Sequence, residues 1–340
     1  MTSPMAEEQP IDPQRPIIDP HLHHWEILPV PGSPHRPQRF LFQEALETVD
    51  RSGHNITHTV FTECGAMHRA EGPPEFAPVG ETEFATGIAA MSASGGYGPC
   101  RFAHRIVGNA NLLLGAGVEP VLEAHMAVAG ERFRGIRSHT VFSESNLFGS
   151  PCDPGTRGIM AHPDFREGAR VLGRMGLSLD VWCLHTQLDE LISLADSQPE
   201  LTIILDHIGT PEYLGVYAGR ETETRVEWAA KITELARRPN VRVKLGGMGM
   251  DIYNPLGSTC ESASSQTLAD RWRPYMETCI EKFTARRCMF ESNFPPDDAA
   301  GSYGAIWNAF KIITRQCTED EKDRLFRGTA AEVYGISLQD

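Results

Sequence analysis

Eight cysteines are scattered singly over 340 residues, and no CxxC pair occurs among them. That excludes a disulfide scaffold and points to reduced thiols in a reducing compartment. No run of Lys and Arg is present, and 45 acidic residues against 31 basic ones leave a formal charge of −14. A phosphate backbone would be repelled by this surface, so nucleic acid is excluded as a partner. No uninterrupted apolar stretch approaches the roughly 20 residues needed to cross a bilayer. The opening "MTSPMAEEQPIDPQRP" lacks the basic start and apolar run of a signal peptide. It reads as a loose tail over residues 1–15, and the cytoplasm is the expected location. Internal repeats, low-complexity tracts and composition shifts between domains are also missing.

What is present is a globular composition, 41% hydrophobic and 22% charged, long enough for a sizeable core. Short apolar runs occur at 16–19, 58–64, 105–112, 133–139, 177–184, 201–207, 241–247 and 287–292. Several are nearly continuous in Val, Ile and Leu, the pattern of strands buried on both faces. Helical patterns fall between them at 42–53, 117–128, 164–176, 187–199, 225–239 and 318–335. Glycine closes the first and third, and Thr318 with Glu321 has capping-box spacing. Eight βα repeats predict a parallel sheet closed into a single (β/α)₈ TIM barrel over residues 16–340. A doubly wound open sheet is the runner-up.

Two stretches interrupt the alternation, 65–104 and 247–268, both rich in Gly, Ser and Pro. In a barrel they follow the second and seventh strands, on the face where active sites are built, and read as lids or pocket walls.

The segment "IIDPHLHHWE" (17–26) places three of the chain's thirteen histidines at the end of the first strand. In extended backbone, residues two apart point the same way, so His21 and His23 can reach one ion. His24 should point away and be structural, and Trp25 either walls the pocket or fills the core. Other apolar runs also finish in polar groups: Glu63, Arg137 and His139, His185, Asp206 and His207, Lys244, and Glu291-Ser292-Asn293. Burying such groups without a use would cost stability. His54, His58, His68, His104, His125 and His162 are read as ordinary structural or surface histidines.

"IIDPHLHHWE", "FRGIR", "LDHIGTP", "MFESNFP" and "LFRGTAAEVYGI" together resemble the amidohydrolase-related family of TIM-barrel hydrolases over residues 16–336. The sugar-lactone and pyrone-dicarboxylate lactonases are the branch most alike, with aromatic-acid decarboxylases more distant. The resemblance implies that His21, His23 and His185 hold a metal. It implies His207 as a catalytic histidine and Arg137 facing a substrate carboxylate or lactone oxygen, where bidentate geometry favours Arg over Lys. Trp25, Glu63, His139 and Lys244 join Arg137 as substrate-binding candidates, and Asp206 would orient His207 or take a proton.

One departure stands out. The family writes its last strand "GSDWP" or "GTDFP", and this chain has "ESNFP", so Asn293 replaces an aspartate that binds metal and takes a proton from water. An amide cannot act as a base. Glu291, two positions earlier, is expected to supply the carboxylate. Three histidines and a water suit an open Zn²⁺ site. Without metal, the same histidines would donate to a carbonyl and act as acid or base. The expected activity is hydrolysis of a lactone or cyclic ester of a small acidic substrate by activated water. Decarboxylation of an aromatic acid and a catalytically silent ligand-binding barrel are the alternatives, and a homodimer is left open.

Overall fold

The computed structural model describes residues 8–27, 38–145, 147, 152–250 and 263–338. Eight parallel strands form one sheet in chain order: β1 (Ile17–Leu22), β4 (Ile56–Thr62), β5 (Arg101–Gly108), β6 (Phe133–His139), β7 (Ser178–Trp182), β8 (Ile203–Leu205), β9 (Val241–Leu245) and β10 (Cys288–Phe290). A short antiparallel pair, β2 (Trp25–Ile27) and β3 (Gln38–Phe40), stands outside the sheet. All eight expected strands are present, in the TIM-barrel arrangement.

Closure between the first and last strands depends on a side chain. Pro20 has no N–H to give to a ladder. The Asp19 carboxylate instead accepts from Ser292 N at 3.1 Å and from the Tyr303 hydroxyl at 2.9 Å. A bridge between Leu22 and Phe294, with His23 N donating to Phe294 O at 2.9 Å, completes the seam. Burial raises the Asp19 pKa to about 6 against the pull of these hydrogen bonds.

Ile18, Val60, Val107, Ile204 and Met289 pack together at 0–1% exposure, with Tyr334 of the C-terminal helix α10 (Thr329–Tyr334) against them. This layer is the barrel's floor. Helices α1 (Phe42–Ser52), α2 (Val79–Ala93), α3 (Glu119–Ala129), α4 (Pro163–Arg174), α5 (Leu188–Ser197), α6 (Glu221–Leu235), α7 (Ser265–Phe283), α8 (Tyr303–Ile313) and α9 (Glu319–Asp323) surround the strands.

Three expectations change, and one falls on residues outside those described. Residues 65–104, read as a lid, hold α2, whose Val79, Ala85, Ile88 and Ala89 are buried. Residues 8–15, read as loose, are docked: Ile11 N donates to Asn308 Oδ1 at 2.7 Å and Lys311 Nζ to Asp12 O at 2.8 Å. The backbone of an extended segment needs partners, and α8 supplies them. Residues 112–132 are long and apolar enough to cross a membrane. In the fold they are a 3₁₀ segment broken at Gly115, then α3, and Val118, Val121 and Leu122 are buried against the barrel. Of the stretch 247–268, residues 251–262 lie outside the described residues.

Candidate active site

The C-terminal ends of β1, β4, β6, β8, β9 and β10 bring the polar groups to one place. Glu291, just beyond β10, has its carboxylate between two imidazoles. Its Oε2 is 2.8 Å from His21 Nδ1 and its Oε1 is 2.7 Å from His207 Nδ1. A carboxylate only accepts, so both Nδ1 atoms carry protons and each Nε2 is left with its lone pair. Burial alone would raise the Glu291 pKa, but His207 and His21 hold it well below the carboxylate range. The His21 Nε2 accepts from Arg137 Nη1 at 3.2 Å. Burial, Lys244 beside it and His207 push His21 far below an ordinary imidazole.

His207 has φ 53°, in the left-handed region. Non-glycine residues adopt it at a cost that the surrounding structure must cover. Glu291 Oε1 also accepts from the His207 backbone N–H at 3.1 Å, which holds that turn. Glycine is required opposite: a Cβ on Gly247 would overlap the His207 ring, and one on Gly246 would overlap Glu291.

Beneath these groups lies a lysine. Lys244 Nζ is 2.7 Å from Asp180 Oδ2, 3.1 Å from Asp206 Oδ1 and 3.1 Å from His21 Nδ1, all at 0% exposure. Tyr334 donates to the same Asp180 oxygen at 2.8 Å. Burial opposes the ammonium, but Asp180, Asp206 and Glu291 raise its pKa well above normal. Asp180 rises to about 6, because burial outweighs Lys244. Asp206 falls below its usual value, because Lys244, His207 and Arg137 outweigh burial.

A cavity of about 400 Å³ opens above, with His23, Trp25, Arg137, Trp182, His207 and Asn293 among its lining. His23 stacks on Trp25 with ring centroids 5.7 Å apart. Its Nδ1 meets Thr62 O at 2.8 Å, so the proton is on Nδ1 and Nε2 is bare, 3.3 Å from Asn293 Oδ1. Burial and Arg137 lower its pKa to about 3. Asn293 in turn donates to Asp297 at 2.7 Å, and burial raises Asp297 to about 7.

On the adjoining wall, Glu63 Oε1 accepts from Arg137 Nε at 2.8 Å and from His139 Nε2 at 2.6 Å. Burial would raise Glu63, but His139 and Arg137 bring it to about 2.

The expected residues therefore gather, with exceptions. His185 is not among them. Its Nδ1 accepts from Glu212 N at 3.1 Å and its ring meets Tyr217. The reason is that β7 ends at Trp182, so His185 lies past the rim. Lys244, expected to bind an acidic substrate, is sealed under the cavity and neutralises Asp180 and Asp206 instead. Asp206 likewise lies 3.1 Å from Lys244 Nζ. His24 is structural as expected, stacked between Phe40 and Phe61. Four contributors went unnoticed in the sequence: Asp180, Thr62, Asp297 and Trp182. Of these, Asp180 left a signal, an acid inside the apolar run "LSLDVWCL".

The group of described residues whose donor atoms could hold a metal is His21, Asp206 and His207, with the atoms within 4.8 Å of one another.

A family model described as amidohydrolase matches residues 18–336. An uncharacterized protein of Sinorhizobium fredii, y4mH, is 32% identical over 332 residues, 94% of this chain and 98% of that one. An L-fucono-1,5-lactonase of Burkholderia ambifaria is 27% identical over 165 residues, 47% of this chain and 50% of its own. Among solved structures, an amidohydrolase from Burkholderia multivorans is 20% identical with 94% and 99% of the two chains covered. Its TM-score is 0.70 in a crystal with bound HEPES and 0.69 in one with bound zinc. The fold is also shared by 5-carboxyvanillate decarboxylase from Sphingomonas paucimobilis, at TM-score 0.58 and 14% identity over 95% and 100% of the chains.

Proposed function

This chain belongs to the amidohydrolase family, and we propose that within this family of hydrolases it opens a small lactone or cyclic ester by attack of water. The observation that carries this reading is the His207–Glu291 pair at the cavity. His207 Nδ1 is fixed to the carboxylate at 2.7 Å, and the ring lines the cavity. Its Nε2 takes a proton from water as the oxygen attacks the carbonyl carbon. Glu291, already ionised, steadies the imidazolium that forms.

The carbonyl oxygen gains negative charge in that step. Arg137 lines the same cavity with a guanidinium whose Nε and Nη2 are fixed on Glu63. A cation fixed in place stabilises developing charge without reorganising. His23, with Nε2 bare, accepts a hydrogen bond from the attacking water or a substrate hydroxyl. Trp25 and Trp182 cover the faces of the bound ring.

Zinc suits the His21–Asp206–His207 set by donor type. The arrangement argues against it. Lys244 Nζ already stands 3.1 Å from both His21 Nδ1 and Asp206 Oδ1. The cluster as folded fits an ammonium and not a divalent ion, so every step above uses the chain's own groups.

The test is product analysis on a panel of lactones. Ring-opened acid formed with uptake of one water supports the reading. Release of CO₂ from an aromatic acid would replace it with decarboxylation. Tight binding with no turnover of any panel member would leave a binding protein.

A further inference from the structure

Ester hydrolysis needs a second proton transfer. When the tetrahedral intermediate collapses, the C–O bond breaks and its electron pair moves to the departing oxygen. For an alkoxide that oxygen must be protonated as it leaves. The imidazolium formed on His207 holds one proton, but it stands on the side of the attacking water, and a donor placed on the leaving-group side would serve the second transfer.

The cavity has a second histidine–glutamate pair. His139 Nε2 lies 2.6 Å from Glu63 Oε1, and Arg137 donates both to that carboxylate oxygen and to the Glu63 main-chain oxygen. Because the carboxylate accepts, Nε2 carries a proton, and Nδ1 is the nitrogen left to exchange one with a ligand. Unlike His207, His139 keeps 43% of its side chain exposed. Its ring packs edge-on to Trp182 at 5.3 Å, and Trp182 meets His207 in the same way at 5.8 Å. The two histidines thus flank one indole on one cavity wall. His139 also lines a second cavity of about 510 Å³, shared with Glu63, Asn109, Ser138 and Thr156. It stands where the two spaces meet.

We infer that His139, held on Glu63, is the acid that protonates the leaving oxygen, and that the leaving-group side of the substrate lies toward the second cavity. The inference rests on the hydrolytic reading above. The atoms balance: His207 takes a proton from water, water's oxygen joins the acyl carbon, and His139 Nδ1 gives a proton to the departing oxygen. The two histidines then exchange protons with solvent. Net, one water is added across the ester bond.

The test compares δ-valerolactone, which releases an alkoxide, with dihydrocoumarin, a six-membered lactone that releases a phenoxide. A phenoxide is stable enough to leave unprotonated. In His139→Gln, kcat for valerolactone should fall about 100-fold or more while dihydrocoumarin falls less than about threefold. His139 is half exposed, so the fold is expected to survive, and His139→Asn serves as the second variant. If wild type opens both lactones and the variants lose both equally, or neither, this assignment is overturned and the hydrolase reading stands. If wild type opens neither, the hydrolase reading fails and takes this assignment with it.

Discussion

The barrel's centre holds two sets of ionisable groups stacked one above the other, and they differ in one respect. In the lower set, Lys244 is paired with Asp180 and Asp206, Tyr334 donates to Asp180, and none reaches solvent. In the upper set, His207, Arg137 and His139 are each tied to a glutamate, and each still lines a cavity. The lower set is sealed from the cavity and the upper set faces it. The difference separates charges that organise a site from charges that act in it. It also explains why a residue can end a strand on the catalytic face, as Lys244 does, and never touch a ligand.

The sharpest way to break this comparison is to open the lower set. In Lys244→Met, two buried carboxylates lose their counter-ion. Removing one partner of a buried pair costs about 3–5 kcal/mol. Chemical denaturation should show that loss. A variant of wild-type stability that lost only substrate affinity would move Lys244 into the upper set.

The converse applies to His207→Asn and Glu291→Gln. These are near in volume to the originals, and their work is proton transfer and its support. Turnover should fall about 10²–10⁴-fold, with denaturation changed far less than in the lysine variant. Full turnover in Glu291→Gln would remove this carboxylate from the mechanism.

Much of this was legible in the sequence, because a closed parallel barrel needs strands that are apolar on both faces, and eight such runs stand out. The histidines at the end of the first strand were legible for a related reason: His21 lies in β1, His23 stands one residue past its end, and their ring centroids are 4.8 Å apart. What failed was placement beyond strand ends. The strands β7 and β10 stop at Trp182 and Phe290, and a two-residue period has no meaning past those points. His185 accordingly leaves the site. Asn293, at φ 46°, stays in it because the turn redirects the chain. Helix α2 was hidden because "VGETEFATGIAAMSA" is nearly uniform in hydropathy and presents no clear apolar stripe.

A smaller effect tests Asp297, which joins the upper set through Asn293. Its pKa is raised by burial to about 7, so the folded state binds its proton more tightly than the unfolded chain does. The stability it contributes is complete below about pH 4 and is lost as pH rises through 7. Other carboxylates add slopes of their own, so the readout is the difference in Tm between wild type and Asp297→Asn. Asparagine cannot ionise. The variant should gain on wild type steadily from pH 4 to 7 and no further above it. A constant offset would place the Asp297 carboxyl at its ordinary value.

The smallest effect expected is none, on removal of metal. A divalent ion at His21, Asp206 and His207 would have to share the space with the Lys244 ammonium, and like charges a few ångströms apart in a low-dielectric interior repel strongly. Either the ion or the ammonium occupies that space, and Asp180, Asp206 and Tyr334 are arranged around the ammonium. Protein purified without chelator should therefore carry well under one equivalent of zinc by elemental analysis, and prolonged chelation should leave lactone turnover unchanged. One equivalent of ion lost in step with activity would mean that Lys244 yields its place when metal is present, and the closed lower set would then be one of two states of the same residues.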